Sequence, residues 1–109
     1  MLVFPEQIRQ LPEADLGIEG ATGYLLQCAD HQVIFWEFGK DVEVPPHSHE
    51  AQWGVVLEGT IALTIEGKEN IYKKGDRYYV PKGAIHSAKI YAGYADITFF
   101  DQADRYMPK

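Results

Sequence analysis

Three of the four histidines stand where they could act together. His47 and His49 form a His-x-His pair, and His86 lies further along the chain. On a strand, residues two apart point to the same face, so the two imidazoles of the pair can converge on one point. Imidazole is a ligand for Zn, Cu, Fe and Ni. Alone, the pair also fits solvated loop residues behind Pro45-Pro46. Its surroundings are more specific. The pair ends a segment that starts at Gly39, and it is followed by Gln52, six residues and Gly59. A second segment reads Gly75, five residues, Pro81, Lys82, Gly83, two residues and His86. Glycine supplies permissive backbone at tight corners, and Pro81 has no N–H to lose at a strand edge. His31, beside Asp30, has no such company and reads as a turn residue.

These two segments resemble the paired motifs of the cupin family. The first is roughly G-x-H-x-H with a following Glu and a later Gly. The second, G-x5-P-x-G-x2-H, is matched at every spacing, and the resemblance covers about Gly39 to Ile90. It implies an all-β fold, a single cupin jelly-roll β-barrel, with a divalent metal inside its mouth. His47, His49 and His86 then match the family's three histidine ligands, and Gly59, Gly75, Pro81 and Gly83 its turn positions. This chain departs from the pattern at Gln52, which stands where the family usually has a ligand Glu and follows His49 at a shorter interval. On an unbroken strand Gln52 would face away from His47 and His49. A bulge or tight turn at Glu50-Ala51 is needed to bring it round. Glu50 is the other oxygen candidate, and its parity is also wrong. The expected metal ligands are therefore His47, His49, Gln52 and His86. Such a set carries no charge, which leaves the ion a strong Lewis acid toward an anionic or carbonyl-bearing molecule. Zn, Mn, Fe and Ni all remain open as its identity.

One subgroup is similar in more detail. Some compact single-domain cupins use three His and one Gln and linearise 4,5-unsaturated uronates, with a catalytic Asp, Phe and Arg near the end of the last strand. Here Asp96, Phe99, Phe100 and Arg105 lie in the corresponding region at a different spacing. The resemblance makes Asp96 and Arg105 the candidate catalytic residues. An Arg can clamp a carboxylate bidentately, and an Asp can move a proton. The plainer reading has Asp96 and Arg105 as surface charges and the two Phe as core and interface. Asp101 and Asp104 read as surface charges. The expected activity is metal-dependent chemistry on a small oxygen-rich substrate such as a sugar acid or uronate. A non-catalytic ligand-binding module, an Fe-dependent dioxygenase and a metal-free structural barrel are the alternatives.

The elements that must position these residues are short strands. From Gly23 onward the pattern predicts strands over Tyr24–Cys28, Gln32–Phe38, Val42–Val44, Trp53–Leu57, Thr60–Glu66, Asn70–Lys73, Arg77–Val80, His86–Tyr91 and Tyr94–Phe100. Gly59, Gly67 and Gly75 punctuate them at even intervals. So many short strands need closure into a barrel or jelly roll to protect their edges. Residues 1–20 form an irregular N-terminal segment, for which a helical turn or an edge segment both fit, and 21–109 form the barrel domain. Gln32–Phe38 is apolar on both faces, with Val33 and Phe35 opposite Ile34, Trp36 and Phe38. One face is therefore expected to meet another chain, which predicts a homodimer. Alternation allows at most one of Tyr78 and Tyr79 to point inward. Trp53 could stack on a sugar.

A chain of 109 residues holds one domain. With 46% hydrophobic and 24% charged residues it has an ordinary globular composition. Its net charge of −6, without a basic patch, argues against nucleic acid. No apolar run is long enough to span a bilayer, and the first ten residues do not read as a signal peptide. Cys28 is the sole cysteine and reads as inert core, so a reducing cytoplasm is the expected compartment. An anionic substrate would be drawn by the uncompensated metal and by Arg105 or Lys89, against the overall field.

Overall fold

A computed structural model of the chain describes residues 4–109. The first three residues of the predicted N-terminal segment lie outside the described residues. Behind Pro5 comes a single helical turn, α1 (Glu6–Arg9). Nine strands follow: β1 (Ala21–Gln27), β2 (Gln32–Phe38), β3 (Val42–His47), β4 (Gln52–Glu58), β5 (Thr60–Ile65), β6 (Lys68–Lys73), β7 (Arg77–Val80), β8 (His86–Ile90) and β9 (Ala95–Phe100). All nine predicted strands are present, within a few residues at each end. The long departure is β3, which continues through Pro45-Pro46 to His47. It does so because β3 is an edge strand, where a missing N–H costs no ladder bond. Cys28 falls just past β1 and is half-buried, not core; its N–H bonds the carbonyl of His31 to close the turn.

The strands form two antiparallel sheets, in the orders β1-β2-β9-β4-β7 and β3-β8-β5-β6. Alternation gives each sheet one face toward the barrel interior. In the larger sheet the inward rows run Gln32, Phe100, Gln52, Val80, then Ile34, Thr98, Gly54, Tyr78, then Trp36, Asp96, Val56. In the smaller sheet they run His47, His86, Ile65, then Val44, Ala88, Leu63, then Val42, Ile90, Ile61. The interior is closed by buried Leu25, Ile34, Trp36, Phe38, Val56 and Phe100. Ile34 is wholly buried, and sequestering a side chain of that size is worth about 1.5–3 kcal/mol.

The outward rows of the larger sheet place Leu26, Val33, Phe99, Trp53 and Tyr79 side by side. Trp53 therefore faces away from the interior, as does Tyr79, while Tyr78 points in and is buried. The second apolar face of β2 is partly covered by the chain itself. Phe4 packs edge-on against Phe35 and Tyr24, at ring separations of 5.6 and 6.2 Å. Residues 4–20 and the tail also close the barrel. Ala14 bridges Pro108, and Leu16 and Ile18 pack against the core.

Candidate metal centre and cavity

His47 ends β3 and pairs with His86 at the start of β8. His49 lies beyond β3 in the link to β4, so strand alternation does not place it. Local hydrogen bonds do. The His49 carbonyl accepts the Gly83 N–H at 2.9 Å, and Lys82 reaches Glu50 at 3.4 Å. The Pro81-Lys82-Gly83 turn of the second motif thus holds the end of the first. The same irregular link resets the parity, so Gln52 opens β4 facing inward and lines the cavity with the histidines. Glu50 is held toward Lys82 at the surface.

One ring nitrogen from each of His47, His49 and His86 lies within 4.8 Å of the other two. Each Nδ1 is tied to a backbone carbonyl: His47 to Pro45 at 2.9 Å, His49 to Glu50 at 2.7 Å and His86 to Ala84 at 2.9 Å. A carbonyl only accepts, so each Nδ1 carries a proton, and the neutral ring then has its lone pair on Nε2. This is the outer-shell arrangement that fixes a ligating imidazole. The Nε2 atoms of His49 and His86 are 3.1 Å apart. Two lone pairs facing at that distance repel unless a cation lies between them. Imidazole nitrogens that share one ion about 2.0–2.1 Å away would come to about 3–3.5 Å from each other. The donor set therefore fits a divalent metal. Burial pushes the His49 imidazole down to about 4, helped by the nearby Arg105 charge, and burial also lowers His86. Both rings are neutral at pH 7 and ready to ligate.

The histidines open into a cavity of about 250 Å³ inside the barrel. Arg105 and Tyr106, from the tail after β9, cover its histidine end. The Arg105 guanidinium stacks on Tyr106 at 4.4 Å and lies 6.0 Å from the Phe100 ring. Its buried Nε has no hydrogen-bond partner among the described residues, and no carboxylate pairs with the side chain there. Gln32 holds this cover in place. Its amide donates to the Tyr106 carbonyl at 2.7 Å and accepts the Tyr106 N–H at 3.0 Å. Lys89 faces outward, 5.8 Å from the Tyr91 ring, so Arg105 is the cation available to a ligand in the cavity.

Asp96 also lines the cavity but sits apart from the histidines. It is four residues before Phe100 on the same inward face, about 13 Å along the strand. Phe100 packs on His49 at 5.5 Å, which fixes the histidine end. Asp96 is buried, and its carboxylate is occupied. Oδ2 accepts Tyr78 and Tyr94 hydroxyls at 2.7 and 2.6 Å, and Oδ1 accepts Thr98 at 3.0 Å. Burial raises its pKa to about 6, opposed by those three hydrogen bonds. Asp101 and Asp104 are exposed, and His31 stacks on Phe99 at the outer surface, 4.7 Å between rings. Sequence reading missed Leu16, Ile18, Gln32 and Tyr106. The alternation of Leu16 and Ile18 about Gly17 was the available signal for two of them.

A family model described as a cupin domain matches residues 34–97. Among solved structures, an RmlC-like cupin from Shewanella frigidimarina superposes with a TM-score of 0.77 at 25% identity, covering 89% of this chain and 88% of that one. KdgF from Halomonas sp. superposes with a TM-score of 0.70 at 21% identity, covering 84% and 87%. A mannose-1-phosphate guanylyltransferase from Sinorhizobium fredii is 32% identical over 53 residues, which is 49% of this chain. The chain matches only 10% of that relative's length. Among the described residues, no helix is long and apolar enough to cross a membrane.

Proposed function

The chain belongs to the cupin family, and we propose that it is a metal-dependent enzyme acting on a small carboxylic acid. The observation that carries this reading is the pairing of two features at one end of one cavity. Three imidazoles, each with Nδ1 tied to a carbonyl, bring a ring nitrogen to a common point, and beside them stands a guanidinium that pairs with no carboxylate among the described residues. His47, His49 and His86 would hold the ion, with the Gln52 side chain as a fourth, neutral donor. A bound divalent ion supplies Lewis-acid polarisation of a carbonyl or hydroxyl oxygen. Arg105 takes the carboxylate in a bidentate pair, and its stacking on Tyr106 limits the orientations it must lose on binding. A sugar acid, isomerised or linearised, is one member of this substrate class.

The test begins with protein purified without chelator. About one divalent ion per chain is expected, and removing it should abolish turnover of small carboxylates, unsaturated uronates included. Arg105→Gln should raise KM about 10–100-fold, the range for losing a charge-assisted hydrogen bond, while metal content stays unchanged. Protein that takes up no ion would sink the enzyme reading.

We further propose that the chain forms a homodimer through the outward row Leu26, Val33, Phe99, Trp53 and Tyr79, and that it works in a reducing compartment such as the cytoplasm. The row crosses all five strands, about 19 Å from the first to the last at the usual strand spacing. Further along the same face, Glu37 and Glu58 are already paired within the chain, with Arg9 and Lys74. A two-fold axis lays such a row on its own copy. Sedimentation should give twice the chain's mass at micromolar concentration, and Trp53→Glu should give a folded monomer. A monomeric parent protein would refute the interface.

A further inference from the structure

The interior of the barrel is tiered, and its tiers differ in what they offer a ligand. The first carries His47, His86 and Gln52, with Arg105 over them. The middle tier places Val44, Ala88 and Leu63 opposite Ile34 and Thr98. Beyond it lie Ile61 and Ile90, facing Trp36 and Asp96. Below the first tier, the polar atoms are spent on one another. Tyr78, Tyr94 and Thr98 all donate to Asp96. A hydroxyl-rich molecule entering this space would surrender its water and find few partners for its hydroxyls, which is unfavourable. An apolar body would meet close-packed hydrocarbon and aromatic walls and surrender nothing.

From this arrangement, and resting on the reading of the first tier as a metal and carboxylate site, we infer that the ligand is an amphiphilic acid. Its carboxylate binds at Arg105 and the histidine end, and an apolar body, a single aromatic ring or a branched hydrocarbon of similar size, fills the middle tier. Size agrees with this. An apolar cavity of about 150 Å³ is enough for benzene, and this one holds about 250 Å³, which suits one ring and a short acidic side chain. Polarity agrees too, since a ligand with one charged end and one apolar end leaves no buried group unpaired at either end.

Calorimetric titration of the zinc-loaded, full-length protein tests the inference with 3-phenylpropanoate, its amide, and D-glucuronate as probes. The aromatic acid is expected to bind at least tenfold more tightly than the sugar acid. The amide should be at least tenfold weaker than the acid, and Arg105→Gln should reduce the acid to the level of the amide. Ala88→Leu fills the middle tier and should cost the aromatic acid tenfold or more, with zinc content unchanged. Leu63→Phe does the same from the neighbouring strand, should Ala88→Leu not fold. Glucuronate binding more tightly than 3-phenylpropanoate would overturn the inference and leave the metal-enzyme reading standing. Failure to load zinc would overturn that reading instead, and titration of the zinc-free protein would then still compare the two acids. Equal affinity for the two acids, or for the acid and its amide, would also overturn it.

Discussion

Replacing His86 with alanine should leave a folded barrel that no longer holds its metal. The His86 ring is buried at the start of β8 and packs 4.2 Å from the His47 ring and 4.7 Å from that of His49. Its Nδ1–H is committed to the Ala84 carbonyl, so its Nε2 has the ligand role alone. With the ring gone, two imidazoles remain, on the end of β3 and in the link after it, and metal affinity should fall at least 100-fold. Disturbing merely an outer-shell partner of such a ligand costs about 10–100-fold. The readout is thermal. A ligand at 100 times its dissociation constant stabilises the native state by about 2.7 kcal/mol, and about 1 kcal/mol moves the melting point of a domain this size by about 4–8 °C. Saturating metal should thus raise the Tm of the parent protein by about 10–20 °C and leave that of His86→Ala almost unmoved. His31→Ala, which alters a ring stacked on Phe99 at the outer surface, should keep the full rise. An undiminished rise in His86→Ala would show that the three rings are not the metal site.

What the sequence made legible, and what it hid, follows from the range of the interactions involved. Strand positions were readable because alternation in stretches such as Ile61, Leu63, Ile65 and the glycine turns are local signals. The histidine triad was readable because its spacing matches a family pattern. The placement of His49 was not, since it depends on a backbone bond from Gly83, thirty-four residues away. Gln52 looked misdirected for the same reason: its facing is decided by an irregular link and not by strand parity. Trp53 and Lys89 were candidates for the site because aromatic and basic residues suit a ligand, yet strand register turned both outward. Asp96 looked like a choice between a surface charge and a catalytic acid. It is neither exposed nor beside the histidines, because Tyr78 from β7 and Tyr94 beside β9 supply the donors that make its burial tolerable. Non-local partners of that kind leave no trace in a local pattern.

That buried network yields the other large expected effect. Gly54 lies on β4 directly across from Tyr78 and Thr98. A Cβ there would fall 2.3 Å from Tyr78 Cζ and 2.5 Å from its hydroxyl oxygen. The glycine is needed for space, since its φ is not positive. Gly54→Ala should therefore displace a ring that is buried on all sides and pull its hydroxyl from Asp96. Overpacking a core costs about 1–3 kcal/mol, and depriving a buried carboxylate of a donor adds about 1–3 kcal/mol, so a loss of about 2–6 kcal/mol is expected in denaturant titration. Gly67→Ala is the control. Its φ is +80° but nothing lies within 4 Å of its Cβ, and strain alone should cost about 1–2 kcal/mol. Asp96 provides an independent reading of the same network through pH. Its pKa, raised from 3.8 to about 6 in the native state, means that the native protein binds more protons than the unfolded chain between about pH 4 and pH 6. Stability should fall as pH rises through that window, by about 3 kcal/mol at 1.36 kcal/mol per pKa unit. Asp96→Asn should flatten this limb of the profile. If instead the parent protein gains stability between pH 4 and pH 6 and Asp96→Asn removes that gain, the three hydrogen bonds outweigh burial, and the carboxylate is held charged inside the barrel.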